Sequence, residues 1–165
     1  MSGNQLVTNQ SSLHEQPRQD FGEESGYVTF RIDDQFFGIP VGQVQDVLNR
    51  QRLTPIPLAS PEITGAVNLR GRIVTAINMR ERLRIPMSKE IKPPMNIVVE
   101  HRGELFSLWV DSVGDVLSLG ARQIEKTPPN LTAHWQQFVK GVCQLKEELL
   151  LILDVSILLK IGAHA

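Results

Sequence analysis

Four histidines, one cysteine, four acids near candidate strand or helix ends and a crowd of arginines are the side chains that could do chemistry in this chain. None of His14, His101, His134 and His164 has a ligand-spaced neighbour such as HxxxH, so no metal site is expected. Cys143 stands in an apolar run beside Val142 and Leu145, reads as a small buried hydrophobe and has no base next to it. A single cysteine excludes an intrachain disulfide and a multi-cysteine zinc site. Asp46, Asp111, Asp115 and Asp154 could supply a carboxylate pair for general acid–base work. Asp46 and Asp115, however, are equivalent positions of an internal repeat, which favours a structural role. Neither GxxxxGK[ST] nor GxGxxG occurs, and no cofactor is expected.

Arg70, Arg72, Arg80, Arg82 and Arg84 fall within 15 residues, with Arg50 and Arg52 upstream. Arg72, Arg82 and Arg84 read as a solvated face. Arg70 differs: it sits beside Gly71 in a tight hairpin turn, and the other half of the repeat carries Lys146 there. A guanidinium held on a rigid turn suits pairing with a carboxylate or with backbone carbonyls. Arg70 is therefore the leading protein-contact candidate.

Composition limits the partners. Lys+Arg is 17 against Asp+Glu 18 in 165 residues, without the cationic excess of a general nucleic-acid binder. The apolar runs near Leu149–Leu153 and Ile157–Leu159 are broken by Asp154 and fall short of the roughly 20 residues that span a bilayer. With no signal pattern at the start, an intracellular, cytoplasmic protein without membrane insertion is expected. Residues 1–25 are rich in Gln, Asn, Ser and Glu and read as a disordered tail, or as a tether that orders on binding.

The elements that would position these residues come in two similar halves. YVTFRI (27–32) and QFFGIPV (35–41) form a hairpin around Asp33-Asp34; NIVVEH (96–101) and ELFSLWV (104–110) form another around Arg102-Gly103. At an offset of 69, six of 14 positions in 35–48 are identical, among them Phe37 with Phe106 and Asp46-Val47-Leu48 with Asp115-Val116-Leu117. Ordinary residue usage gives about one. At an offset of 76, residues 63–83 lie over 139–159 and match Gly65 with Gly141 and Leu69 with Leu145. Seven extra residues enter around Ile124–Trp135. We infer an internal duplication. Each half reads as a hairpin, a helical turn (Gly42–Val47; Ser112–Val116), a longer strand, a second hairpin (turning at Arg70-Gly71 and Lys146-Glu147) and a closing helix capped by Asn78 or Asp154. About five short strands per half predict a mostly β fold of two small five-stranded β-barrels packed on a shared apolar interface, with short helices and a C-terminal helix. Subdomain one is placed at about 27–90 and subdomain two at about 96–160, with interleaving of strands allowed.

Gly65-Ala66-Val67-Asn68-Leu69-Arg70-Gly71, followed by Ile73-Val74, resembles the G-x-x-N-L-R-G signature of the CheW family, the coupling proteins of bacterial chemotaxis. The YVTF strand, the stretch Val41–Val47, WVDSVGDVLSL (109–119) and GVCQLKEELLLILDVSILL (141–159) follow in the family's order, so the resemblance covers about residues 26–160. It implies a non-enzymatic adaptor of two SH3-like barrels that bridges the tip of a chemoreceptor signalling domain and a CheA-type histidine kinase. In the family the NLRG arginine and the acid of the V-x-E-V stretch lie near the receptor-binding groove, which implies Arg70 and Asp46; Val44 is expected with them, Val47 and Leu48 at the kinase contact, and Ile124 and Leu131 at a second contact used in arrays. Gly65, Asn68, Gly71 and Gly141 take structural roles. The chain departs from the family in having Asp46 where Glu is commoner and Val74-Thr75-Ala76 where V-P-V is frequent. With no room for a receiver or kinase module, a stand-alone adaptor is expected. Two readings of other classes remain: a small enzyme using Asp46, Asp111 or Asp115, and a nucleic-acid binder using the arginine cluster on one contiguous face.

Overall fold

The computed structural model describes residues 24–49, 51–86 and 93–161. Among the described residues ten strands carry the fold: β1 Glu24–Ile32, β2 Gln35–Pro40, β3 Val44–Leu48, β4 Ile63–Leu69, β5 Arg72–Asn78, β6 Met95–His101, β7 Glu104–Val110, β8 Ser112–Gly120, β9 Val139–Gln144 and β10 Leu149–Leu153. Three short helices accompany them: α1 Met79–Leu83, α2 Ala133–Gln136 and α3 Val155–Leu158. The tail expectation falls on residues 1–23, outside the described residues, while Glu24 and Ser25 already belong to β1.

The strands form two five-stranded sheets, ordered β8-β1-β2-β10-β9 and β3-β6-β7-β5-β4. Each sheet combines the first hairpin of one half with the remaining strands of the other. Residues 27–90 and 96–160 therefore do not each form a sheet. In both sheets one parallel pair, β2 with β10 or β5 with β7, joins strands from different halves. The two edges of each sheet are tied by one narrow bridge. Thr54, downstream of β3, exchanges two backbone hydrogen bonds with Ala66 of β4 (2.8 Å each); Glu125, downstream of β8, does the same with Val142 of β9 (2.7 and 3.0 Å).

Those bridges run directly past Gly65 and Gly141. A Cβ on Gly65 would lie 2.6 Å from the Thr54 carbonyl oxygen, and one on Gly141 would lie 2.7 Å from Cγ2 of Ile124. The repeat thus carries glycine where the chain crosses its own sheet edge too closely for a side chain.

One apolar cluster draws on both sheets: Phe30, Phe37 and Ile39 from one, Ile77, Ile97, Val99 and Leu108 from the other, with Met79 and Leu83 of α1 and Val155 and Leu158 of α3. A smaller cluster of Tyr27, Leu119, Cys143, Leu150 and Ile152 belongs to the first sheet. Asn78 and Asp154 cap α1 and α3, their side chains accepting from Arg80 N and Glu81 N, and from Ser156 N and Ile157 N.

Both expected helical turns need correction. Residues 41–43 form a single 3-10 turn, after which Val44 enters β3; Ser112–Val116 is wholly strand, part of β8. Val113 and Val116, three apart, suit one face of a helical turn, but a single turn is too short a window to decide, and in the strand they fall on opposite faces, Val113 on the core and Val116 exposed. The ladder with β1, pairing Phe30 with Val113 and Val28 with Val116, decides for strand.

Candidate functional site

Arg70 occupies the turn between β4 and β5 with φ 52°, followed by Gly71 with φ 82°. Both central residues are left-handed, the geometry that matches the twist of a two-residue hairpin. Asn68 sets the turn: its Oδ1 accepts from Gly71 N at 3.1 Å. The Arg70 Nη2 donates to Asp46 Oδ2 at 3.3 Å, while the other oxygen of Asp46 accepts from Val47 N at 2.9 Å. The Arg70 side chain is 88% exposed and that of Asp46 33%. The pair marks an open edge, with the carboxylate anchored and the guanidinium presented.

A bulge positions Asp46. The register between β3 and β6 shifts between Val44, opposite Val99, and Asp46, opposite Val98. An extra residue in one strand re-aims the side chains after it. Val44 is half-buried and packs against the shared core. Val47 is exposed and Leu48 half-buried on the same strand. Ile124 and Leu131 lie elsewhere, each half-buried, the first against the smaller cluster and the second against the shared core. The structure therefore brings Asp46 and Arg70 together, while Val44, two residues before Asp46, packs against the shared core that Leu131 also meets, and Ile124 packs against the smaller cluster.

Several exposed apolar residues escaped the sequence reading. Val41 and Val116 flank Gly26, whose Cβ would stand 3.1 and 3.5 Å from their methyls. Ile73, beside the Arg70 turn, is 70% exposed. One signal was available: Val116 is the repeat equivalent of Val47, and both are exposed.

The arginines do not share a face. Arg70 and Arg72 are exposed, while Arg50 lies outside the described residues. Arg80, its side chain only 13% exposed, grips Asp33 through two hydrogen bonds (2.5 and 3.0 Å) and Asp111 through a third (2.6 Å). The reading of Arg82 as solvated is corrected. Also 13% exposed, it donates to the carbonyls of Leu158 (2.9 Å) and Ile157 (3.0 Å) and lies over the Phe138 ring. Free carbonyls at the end of a short helix attract such a cation. Arg80 and Arg82 are spent within the fold, and the arrangement is unlike a phosphate-tracking groove.

The carboxylates do not converge either. Asp46 pairs with Arg70, Asp111 accepts from Asp33 N (2.7 Å) and Arg80, and Asp115 stands exposed on β8. Hydrogen bonding from Arg80 holds the Asp33 carboxyl below its ordinary range. Asp154 is likewise lowered, chiefly by the Ser156 hydroxyl and then by the helix N–H groups it caps. Burial, with Glu125 nearby, raises the Cys143 thiol, which suits a core residue and not a nucleophile. Among the described residues no three His, Cys, Asp or Glu side chains group as metal ligands, and no helix is long and apolar enough to cross a membrane.

Comparison with known proteins matches residues 26–162 to the CheW-like domain. The chain is 29% identical over 140 residues to the chemotaxis protein CheW of Klebsiella aerogenes, covering 84% of each chain. It is 25% identical over 129 residues to that of Rhizobium meliloti, covering 78% of this chain and 83% of the relative. In three dimensions it resembles the crystal structure of the scaffolding protein TtCheW from Thermoanaerobacter tengcongensis, with a TM-score of 0.76 and 27% identity, covering 84% of this chain and 94% of that one.

Proposed function

The chain belongs to the CheW-like domain family of non-enzymatic chemotaxis scaffolds, and from that premise we propose that it couples the signalling tip of a chemoreceptor to a CheA-type histidine kinase. The observation that carries this reading is the Arg70–Asp46 pair: a guanidinium on a rigid turn, paired with a carboxylate two residues after the core-packed Val44. A receptor tip meets this pair. Val47 and Leu48, farther along β3, serve the kinase, and Ile124 and Leu131 serve a second contact between array components. Residues 26–160 act as one unit, in the cytoplasm, recruited to membrane-bound receptors without insertion and without nucleic acid.

The test is Arg70→Ala, compared with wild type in thermal unfolding, receptor binding and kinase binding. An exposed pair contributes only about 0.2–1 kcal/mol to stability, so the melting midpoint is expected to move little. Losing a desolvated charge contact in a complex costs about 2–5 kcal/mol, a 30-fold or greater drop in receptor affinity. Kinase affinity is expected to stay. Unchanged receptor affinity would take Arg70 off the functional surface, and a large loss of stability would make it structural.

A further inference from the structure

The loop between β3 and β4 ends in a feature that folding alone does not account for. Pro55, Ile56, Pro57 and Leu58 are all exposed, and Leu58 is fully so. Leu58 also has φ 59°, a left-handed conformation that disfavours leucine and favours glycine or asparagine. The backbone turns there: Ala59 N donates to Ile56 O at 3.4 Å, with Pro57 second and Leu58 third, where glycine is usual. Leu58 thus combines an unfavourable backbone with an unfavourable surface.

The loop is nevertheless held firmly. Its ascending limb is pinned by the Thr54–Ala66 bridge. Its descending limb is pinned by Ile63 N to Ser60 O (2.9 Å), by Asn78 N to Glu62 O (2.8 Å) and by the Glu62–Arg82 ion pair (3.7 Å). Two prolines stiffen the apex between these anchors. An apolar side chain presented on a stiff, pinned loop loses little entropy on docking.

Placement selects the partner. The loop enters β4 at Ile63, and β4 leaves at Leu69 into the Arg70 turn. Seven residues of strand separate the two by about 20 Å. A ligand at Arg70 and one at Leu58 therefore occupy opposite ends of the sheet. The loop also continues directly from Val47 and Leu48, and no charge lies between Pro55 and Pro61.

We propose that Leu58 is an anchor for the histidine kinase, inserting into an uncharged apolar pocket on the kinase surface while the opposite end of the same sheet holds the receptor. This rests on the coupling function proposed above. The experiment compares wild type, Leu58→Asn and Leu58→Met for binding to the purified CheA-type kinase and to a purified receptor signalling fragment from the same organism, with thermal unfolding and sedimentation alongside.

Asparagine tolerates the left-handed turn, so the midpoint of Leu58→Asn is expected to hold or rise, by about 2 °C. Its kinase affinity is expected to fall at least about tenfold, as for a central apolar anchor, with receptor affinity unchanged. Leu58→Met, which keeps the apolar volume, is expected to bind the kinase within about threefold of wild type. Undiminished kinase binding by Leu58→Asn, beside wild type that binds both partners, overturns this assignment and leaves the coupling function standing. Wild type that binds neither partner overturns both. A wild-type dimer that Leu58→Asn dissolves makes a second copy the occupant and overturns the kinase assignment.

Discussion

At the scale of single residues, glycine and arginine set the geometry. Gly65 has φ 153° and faces a backbone carbonyl, which cannot move without breaking the Thr54–Ala66 bridge. Gly141 faces the methyl of Ile124, which can rotate, although the Glu125 carbonyl lies 3.3 Å from the same point. Gly65→Ala should therefore destabilise by about 2–3 kcal/mol and Gly141→Ala by about half of that. Urea unfolding midpoints of the two variants check the order; a milder effect at Gly65 would contradict the role of the bridge. Arg70 is presented to solvent while Arg80 and Arg82 are held within the fold, and the amino-acid type alone does not separate the two.

The closing helices show chemistry at the scale of elements. Asn78 and Asp154 cap equivalent helices, one with a neutral amide and one with a carboxylate. Removing either cap with alanine should cost about 1 kcal/mol at pH 7. Only the Asp154 cap is sensitive to acid. Its folded carboxyl titrates below its unfolded value, held down first by the Ser156 hydroxyl and then by Ile157 N and Ser156 N. The unfolded chain therefore takes up the proton first, and the stabilisation, complete above the unfolded pKa of about 3.9, drains away as pH falls through the folded one. Asp154→Asn should match wild type near neutrality and lose less stability between pH 5 and about pH 2. Urea titrations at several pH values measure this, and identical acid limbs would exclude Asp154 as a contributor.

For the whole molecule, the exchange of hairpins between halves is the decisive feature. Each sheet needs strands from both halves, and the shared core needs both sheets. Fragments 24–90 and 95–161 should each lack β-sheet circular dichroism when alone and regain it when mixed in equal amounts. A fragment that folds by itself would refute the interdependence. Arg80 is the polar counterpart of that core. From α1, after β5, it clamps Asp33 in the β1–β2 turn and Asp111 between β7 and β8, so one side chain ties the two sheets. Arg80→Ala should destabilise more than Arg70→Ala, since it strips charge-assisted hydrogen bonds from Asp111, which is half-buried, as well as from the exposed Asp33. Thermal unfolding beside the more exposed Arg70→Ala tests that contrast.

The duplication, the strand count, the caps at Asn78 and Asp154 and the turn at Arg70 were all legible in the sequence. Each depends on contacts close in the chain or on a pattern written twice. The equivalence of Gly65 and Gly141 was legible too, but not the carbonyl and the methyl that they face. Three features waited for the tertiary structure. Strand rather than helix at Ser112–Val116 required the ladder with β1, because one turn of apolar spacing is too short a window to decide. The pairing of hairpins across the halves required knowing which edge each strand joins, and the alternation of residues along a strand is the same for every possible neighbour. The fates of Arg70, Arg80 and Arg82 required the positions of Asp46, Asp33, Asp111 and the α3 carbonyls, all at least 24 residues away in the chain. Local sequence carries propensity and periodicity; which charge meets which carboxylate is decided only once packing has brought distant segments within a few ångströms.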